Sequence, residues 1–187
     1  MPRRSYDHYC AVSRALDLVG DRWSLLVVRE LCSGPRRYSD LFADLPGIST
    51  DMLATRLKGL EREGLLTHHR DGMRSSYQLT EAGRDLRPVL DALSAWGTPR
   101  LGDRKPTDAV RAHWLALPLG RAIGDLVPEG TVSVHIGDTA LHFVLTPDGI
   151  THHDGPAPVA DRELHLSLSE ATEIAAGSRS LRDAWKD

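Results

Sequence analysis

Cysteine and long apolar runs are what this sequence has least of. Its 187 residues include only two cysteines, Cys10 and Cys32, which are far apart and form no CxxC pair. This excludes a disulfide-stapled scaffold and a cysteine-based zinc site. No run approaches the ~20 apolar residues that span a bilayer, and no apolar signal-peptide segment follows the basic first residues. We therefore expect a cytoplasmic protein that has no contact with a membrane.

Motifs of catalysis are absent as well. The sequence contains no phosphate-binding loop, no nucleophile–base–acid constellation and no paired carboxylates suited to acid–base work. Histidines in the C-terminal part share no spacing with a carboxylate or cysteine that is typical of a metal site. These histidines are His135, His142, His152, His153 and His165. We therefore expect no enzymatic activity, no cofactor and no bound metal.

Charge is distributed unevenly along the chain. The formal net charge is −3, but residues 1–105 carry 17 Lys and Arg against 14 Asp and Glu, whereas residues 106–187 carry 6 against 12. Only the basic part suits the phosphates of a nucleic acid. Two prolines and a glycine between Thr98 and Thr107 mark a linker. We predict a DNA-binding and dimerisation domain over residues 1–100, a linker over 101–107 and a second domain over 108–187.

The order of elements before the linker is that of a winged helix-turn-helix. Periodicity and end signals predict helices over residues 11–19, 23–31, 39–44 and 50–63. Ser39 is the expected N-cap of the third helix. Two extended runs around Asp71-Gly72 predict a β-hairpin, and a further helix is predicted from Thr80 to Trp96. Each segment alone is typical of ordinary core, but their order is typical of a winged helix-turn-helix domain.

The fourth helix has the pattern of a recognition helix. At 100° per residue, Leu57 and Leu60 lie within about 40° of Leu53, which predicts the packed side. The opposite side carries Asp51, Thr55, Lys58 and Arg62. A polar and partly basic face of this kind suits the major groove of DNA.

Different roles are expected along this helix. The residues nearest its N-terminus are expected to face base edges, namely Thr50, Asp51, Ala54 and Thr55, whereas Lys58 and Arg62 suit phosphates. Two alternatives stay open. Asp51 caps the helix through its dipole, and Arg56, whose stem leans inward, pairs with an acid such as Asp40 instead of DNA.

DNA contacts are also predicted outside the fourth helix. Arg36 and Arg37 precede the third helix and suit the DNA backbone, while the hairpin suits the adjacent groove or its phosphates. The complete set of predicted DNA-binding residues is Arg36, Arg37, Ser39, Ser49, Thr50, Asp51, Ala54, Thr55, Arg56, Lys58, Arg70, Arg74 and Ser75.

Several blocks within residues 8–98 resemble HxlR-type regulators. The blocks are Cys10–Cys32 (CAVSRALDLVGDRWSLLVVRELC), Gly34–Leu41 (GPRRYSDL), Leu45–Ser49 (LPGIS), Leu53–Leu65 (LATRLKGLEREGL), Tyr77–Gly83 (YQLTEAG) and Trp96-Gly97. The resemblance implies a homodimeric repressor or activator that binds double-stranded DNA at a (pseudo)palindromic operator. It also implies a dimer interface formed by the helix from Cys10 and the helix ending near Trp96. The two recognition helices would then lie about one DNA turn, ~34 Å, apart.

The resemblance leaves a second mode of regulation open. Some HxlR-type regulators sense oxidants or electrophiles through a cysteine at the position of Cys10. A helix N-terminus activates a thiolate at such a position. Cys10 is therefore the candidate sensor residue.

The residues after the linker predict a small α+β domain. A helix over 108–126, interrupted at Pro118, precedes an antiparallel meander of strands over 131–136, 141–145 and 150–153. A fourth strand over 163–168 and short helices over 169–176 and 180–185 end the chain.

This second order of elements resembles sterol-carrier-protein-type domains, which shelter apolar ligands. The resemblance lies in residues 136–143, 164–168 and 176–181. It implies binding of an apolar small-molecule effector in a cavity lined by Trp114, Leu117, Phe143 and Leu166. The alternative is that these four residues are plain core. A function of another class also stays open, that of an apolar-ligand carrier in which the helical half serves assembly.

Overall fold

The chain divides into two compact units in the computed structural model, Met1–Arg87 and Pro88–Asp187. The structure describes residues 5–72 and 74–185. The predicted α+β class is confirmed, since a helical unit with a small hairpin precedes a unit built on a four-stranded sheet. Within the described ranges, no helix combines the length and the apolar character needed to cross a membrane.

The first unit has the predicted helix and hairpin order. Its elements are α1 (Ala11–Val19), α2 (Ser24–Leu31), α3 (Tyr38–Asp44), α4 (Thr50–Arg62), β1 (Leu66–Asp71), β2 (Arg74–Leu79) and the one-turn helix α5 (Glu81–Arg84). Val27, Leu41 and Leu53, from three different helices, are fully buried. Burial of each such side chain contributes about 1.5–3 kcal/mol. The helices are therefore held together by their apolar sides.

Helix α3 begins one residue earlier than predicted. It starts at Tyr38 with Arg37 as its N-cap, so Ser39 is not the cap. The Asp40 carboxylate accepts a hydrogen bond from the Arg37 N–H at 3.2 Å, and the Ser39 hydroxyl donates to the same carboxylate at 3.1 Å. An acid in the first turn therefore fixes this helix start.

The single helix predicted from Thr80 to Trp96 is wrong, because the structure has two helices there. Thr80 is a cap as predicted, with its hydroxyl oxygen accepting the Gly83 N–H at 3.1 Å. The chain then leaves α5 and enters α6 (Arg87–Gly97), which belongs to the second unit from Pro88 onward. Pro88 explains the break, because it has no N–H to continue a helix but is tolerated in the first turn of a new one.

The second unit combines a mixed sheet with α6 and two further helices. Its elements are 3-10 turns at Thr98–Arg100 and Ala112–Leu115, α7 (Ala116–Gly124), β3 (Gly130–Ile136), β4 (Thr139–Thr146), β5 (Gly149–Asp154), β6 (Arg162–Leu166), α8 (Leu168–Ala175) and a 3-10 turn at Leu181–Asp183. The strand order is β5-β4-β3-β6. Strands β3 to β5 form the predicted antiparallel meander, and β6 pairs parallel to β3.

Pro118 does not interrupt the helix as predicted. Helix α7 begins at Ala116, so Pro118 is its third residue. The first N–H groups of a helix have no intrahelical acceptor, and a proline there removes no hydrogen bond. The preceding residues instead form the 3-10 turn that leads into α7.

The core of the second unit lies between one sheet face and the helices. Val134, Phe143 and Leu166 from the strands pack with Ile123 of α7 and Ala171 of α8. Of the four residues predicted to line an apolar cavity, Leu117, Phe143 and Leu166 are buried and Trp114 is half-buried. This placement favours the alternative that they are core.

The connection from β5 to β6 crosses the other face of the sheet, because these strands lie at opposite edges. The Ala157 N–H donates to the Ser133 hydroxyl at 3.0 Å, and the Thr131 N–H donates to the Asp161 carboxylate at 2.7 Å. Ser133 is fully buried under this connection. The crossing segment therefore covers part of the outer face.

Candidate nucleic-acid interface

Helix α4 is oriented by its apolar side and held at its N-terminal end. Leu53, Leu57 and Leu60 are buried, as the helical phase predicted. Ser49 is the N-cap, and its hydroxyl oxygen accepts the Met52 N–H at 3.2 Å. The Tyr38 hydroxyl donates to the Thr50 carbonyl at 2.8 Å, which joins the start of α3 to the start of α4. The opposite side of α4 is therefore presented in a fixed orientation.

The outward side of α4 is exposed along its length. Thr50, Asp51, Thr55 and Lys58 are all exposed, and Ala54 is half-buried beside them. The Thr55 hydroxyl donates to the Asp51 carbonyl at 2.7 Å, within the helix itself. Thr55 therefore offers an incoming base mainly its methyl group, which suits an apolar contact with thymine.

Arg56 is engaged within the protein. Its guanidinium forms an ion pair with Asp21 and its Nε donates to the Met52 sulfur at 3.4 Å. The partner is thus Asp21 and not Asp40, the acid given as an example of an expected partner. Because Asp21 lies between α1 and α2, the pair ties the loop there to α4.

Arg36 also faces the protein, whereas Arg37 is exposed. The Arg36 side chain is only 17% exposed and lies 4.0 Å from the Asp44 carboxylate. Its Nε donates to the Glu30 carbonyl at 3.4 Å. The Arg36 backbone pairs with Tyr77 on β2, with N–H to carbonyl distances of 3.0 and 2.8 Å. Arg36 therefore fixes the start of α3 against the hairpin.

An open cleft joins the start of α3 to the hairpin. Its volume is about 260 Å³, and it is lined by Arg37, Tyr38, Ser39, Arg74 and Ser75. Four of these five residues were predicted to contact DNA from their positions on two separate elements. The cleft brings two arginines and two serine hydroxyl groups together, and such donors commonly bind phosphate oxygens.

The outer strand residues complete the hairpin surface. Arg70 pairs in register with Ser75, and Asp71 pairs with Arg74. The side chains of Arg70, Arg74 and Ser75 are exposed. The hairpin therefore presents the predicted wing residues beside the cleft.

Two residues of this surface were missed. Tyr38 lines the cleft and anchors α4, and His68 is hydrogen-bonded to the Ser75 hydroxyl at 2.6 Å. The His68 ring also stacks on Tyr77, with centroids 4.2 Å apart. A signal for His68 was available, because the Asp71-Gly72 turn fixes a register that puts it opposite Tyr77.

Comparison with known proteins identifies the family of this fold. Residues 18–105 match the model of the HxlR-like helix-turn-helix family. An uncharacterized HTH-type transcriptional regulator of Mycobacterium tuberculosis, Rv3095, is 44% identical over 142 residues, which are 74% of this chain and 84% of that protein. The chain belongs to the HxlR-like helix-turn-helix family. It is therefore a transcription regulator of a DNA-binding class.

Further relatives match a smaller share of the chain. An uncharacterized HTH-type transcriptional regulator of Synechocystis, sll1512, is 41% identical over 96 residues, 49% of this chain and 70% of that protein. A solved structure of a MarR-family regulator from Porphyromonas gingivalis W83 is 29% identical, with a TM-score of 0.49, and covers 53% of this chain and 100% of its own. The mycobacterial match is longer than residues 1–105, so it extends beyond the winged-helix part of this HxlR-like regulator.

Proposed function

We propose that this HxlR-like regulator binds a (pseudo)palindromic operator as a homodimer, with α4 in the major groove. The observation that carries the proposal is the exposed Asp51, Thr55 and Lys58 side of a helix whose other side is buried. Thr50, Asp51, Ala54 and Thr55 face base edges, and Lys58 binds a phosphate. Ser49 serves as the helix cap.

The cleft beside α3 supplies the contacts to the DNA backbone. Arg37, Arg74 and Ser75 donate to phosphate oxygens, Ser39 does so when its hydroxyl turns away from Asp40, and Arg70 reaches the neighbouring phosphate or groove. Arg36 and Arg56 are left out of this interface because both side chains are engaged within the first unit. The DNA-binding function lies within residues 1–100.

Two exposed apolar stripes support the homodimer. Helix α1 exposes Val12 and Leu16, one helical turn apart, and α6 exposes Val89, Leu93 and Trp96 on one side. Exposed apolar stripes of this kind are typical of protein interfaces. In the proposed dimer both stripes are covered by the second copy.

A gel-shift assay with the promoter region of the protein's own gene tests the proposal. The wild type shifts this DNA at low salt, where phosphate contacts are strongest, and releases it as salt rises. The double change Thr55→Ala and Lys58→Ala abolishes the shift while circular dichroism shows an unchanged fold. No shift by the wild type at low salt contradicts the function, and a shift that survives the double change contradicts the placement of the recognition helix.

The geometry of Cys10 favours a second candidate function, regulation by oxidants or electrophiles. Cys10 is exposed at the N-cap of α1. The Ser13 N–H, the Ser13 hydroxyl and the Val12 N–H stabilise the thiolate, which lowers the pKa of Cys10. A lowered pKa raises the fraction of reactive thiolate at neutral pH.

Quinone or diamide treatment tests this candidate. Treatment lowers the operator affinity of the wild type and of Cys32→Ser, but it leaves the operator affinity of Cys10→Ser unchanged. Equal responses of Cys10→Ser and the wild type contradict a sensor role for Cys10.

Binding of an apolar effector, which the resemblance to sterol-carrier-protein-type domains implies, stays a separate hypothesis. Its support is the sheet-and-helix order of residues 108–187, whereas the burial of Leu117, Phe143 and Leu166 supports a closed core. Native mass spectrometry of the purified protein tests it. A bound apolar molecule without any gel shift would favour the carrier function over the regulator function.

A further inference from the structure

The outer face of the second unit's sheet brings two histidines and a glutamate together. Strand β6 carries Glu163 and His165. Successive side chains of a strand point to opposite faces, so these two residues, which are two apart, lie on the same face. His165 lies directly opposite His135 of β3 in the parallel register. The three side chains therefore meet across two neighbouring strands.

The ligand atoms of these residues lie close to one another. The Glu163 carboxylate is 3.9 Å from the His135 Nε2 and 4.0 Å from the His165 Nε2. One ligand atom from each of the three residues lies within 4.8 Å of the other two. Ligands of a tetrahedral metal with bonds of 2.0–2.1 Å are roughly 3.3 Å apart. A site forms when the two distances to the Glu163 carboxylate shorten by about 0.6–0.7 Å and the distance between the two histidine ligand atoms shortens by up to about 1.5 Å.

We propose that His135, Glu163 and His165 bind a divalent first-row transition metal ion, of which Zn²⁺ is the reference. Two imidazoles and one carboxylate are a ligand set that zinc accepts, with water in the fourth position. This inference goes beyond DNA binding and does not depend on it. It departs from the expectation of no bound metal, because the parallel pairing of β6 with β3 brings His135 beside Glu163 and His165.

A ring nitrogen of His135 that makes no hydrogen bond to the described residues supports the site. Its Nε2 is out of contact with solvent and has no hydrogen-bond partner among the residues that the structure describes. A buried polar atom without a partner is unfavourable, and a bound metal ion would satisfy it. Residues 106–187 carry 12 acidic against 6 basic side chains, which favours a cation there.

Metal binding requires a small movement of both rings. The His135 and His165 rings are stacked, with centroids 4.5 Å apart and an angle of 11° between their planes. Because the nitrogen lone pairs lie in the ring planes, the rings must turn toward a common point. This rotation is accessible because the last torsion of histidine is soft and the His165 side chain is 74% exposed.

The same sheet offers a matched control. His142 of β4 and His153 of β5 also stack across neighbouring strands, with centroids 5.0 Å apart. Among the described residues, no carboxylate joins them in a three-ligand group. His142 is also hydrogen-bonded to the Gly155 carbonyl at 2.9 Å. His153→Ala therefore removes a stacked histidine of this face without removing a proposed ligand.

Competition with a chromophoric zinc chelator, using protein without a histidine tag, tests the proposal. The wild type and His153→Ala bind one Zn²⁺ per chain with similar affinity. The zinc affinity of His165→Ala and of Glu163→Ala is lower by at least about tenfold. Both replaced side chains are largely exposed, so the fold is retained, which circular dichroism checks. Zinc affinity of His165→Ala equal to that of the wild type, or an equal loss in His153→Ala, overturns the site.

A second measurement uses the wild-type protein, so its result does not depend on whether a variant folds. In long-range ¹H–¹⁵N NMR spectra, one equivalent of Zn²⁺ shifts the ring nitrogens of His135 and His165 and leaves those of His142 and His153 in place. The thermal midpoint rises with zinc concentration, because the ion binds the folded sheet only. Shifts confined to other histidines, or no saturable shift, overturn the proposal.

Discussion

Arg56 lies on the proposed recognition helix, but its guanidinium forms an ion pair within the first unit. Its ion pair with Asp21 links α4 to the loop between α1 and α2. Lys58, two residues later, is exposed. The difference follows from helical phase, because Arg56 lies nearer the buried leucines than Lys58 does. Two basic residues on one helix therefore have different effects when they are replaced.

Replacing Lys58 tests its proposed binding to a phosphate. Lys58→Ala weakens binding to specific and random DNA alike, because a phosphate contact carries no sequence information. The slope of log affinity against log salt becomes shallower by about 0.9 for each phosphate that the protein no longer neutralises. A salt titration of fluorescence anisotropy measures this slope.

The matched control, Lys105→Ala, removes an exposed lysine outside the first unit and leaves the slope unchanged. A change of sequence preference without a change of slope contradicts the assignment.

Replacing Arg56 and Asp21 tests the ion pair. In a double-mutant cycle of Arg56→Gln and Asp21→Asn, the pair contributes about 0.2–1 kcal/mol to the free energy of unfolding, since the Asp21 side chain is 61% exposed. Urea unfolding of the four proteins measures the coupling. Strictly additive effects, combined with a loss of operator binding in Arg56→Gln alone, would instead assign Arg56 to DNA.

At the scale of elements, the packing of α4 decides how its outer side is presented. Leu53 is fully buried, so Leu53→Ala leaves a cavity and lowers the free energy of unfolding by about 2–5 kcal/mol. Leu101→Ala is the matched control, because Leu101 is 65% exposed. Urea unfolding, followed by circular dichroism, compares the two variants. A loss for Leu53→Ala no larger than that of the control contradicts the packing described for α4.

The buried stripe of α4 was predictable because it depends on a local signal, the helical period that Leu53, Leu57 and Leu60 follow. Of the two predicted caps, Thr80 is confirmed, whereas Ser39 is not the cap because α3 begins one residue earlier. The two wrong helix predictions both involve proline. Pro88 is the second residue of a new helix, although one continuous helix was expected to run through it, and Pro118 is the third residue of a helix that was expected to be interrupted there. A proline marks a helix start as readily as an end, so its position alone did not decide between them.

Features that depend on distant partners were not predictable from the sequence. The parallel pairing of β6 with β3 follows a connection that crosses the sheet, and only this pairing brings His135 to Glu163 and His165. Likewise, the burial of Arg36 depends on Glu30, Asp44 and Tyr77 from three other elements. Spacing along one strand or helix contains no information about such neighbours. The exposure expected of the DNA-binding set is therefore found at Asp51, Thr55 and Lys58 but not at Arg36 and Arg56, and DNA contact itself stays a prediction.

At the scale of the whole molecule, the acidic part of the chain, residues 106–187, lies entirely within the second unit. The proposed DNA surface lies in the first unit, and the histidine–glutamate group lies in the second. The acidic character of residues 106–187 disfavours contact with DNA and favours a cation. The alignment with the mycobacterial relative extends beyond residues 1–105. The function of the second unit is therefore best tested apart from DNA binding.

The homodimer is tested by placing charge on the apolar stripe of α1. Val12→Asp puts an unpaired carboxylate on a surface that the second copy covers in the proposed dimer, and desolvation of this charge opposes association. Sedimentation equilibrium shows a twofold chain mass for the wild type and a shift toward the single chain for the variant. Val159→Asp is the matched control, since Val159 is 83% exposed and lies in the connection between β5 and β6.

Loss of the dimer also changes DNA binding. A single chain contacts one half-site, so affinity for the full operator falls by about 10²-fold or more when the second recognition helix no longer binds at high effective concentration. Affinity for an isolated half-site changes little, because Val12 lies outside the proposed DNA surface. If Val12→Asp and Leu93→Asp both remain dimeric, the stripes on α1 and α6 do not form the interface. If either variant becomes monomeric but keeps full operator affinity, the operator is bound by one chain.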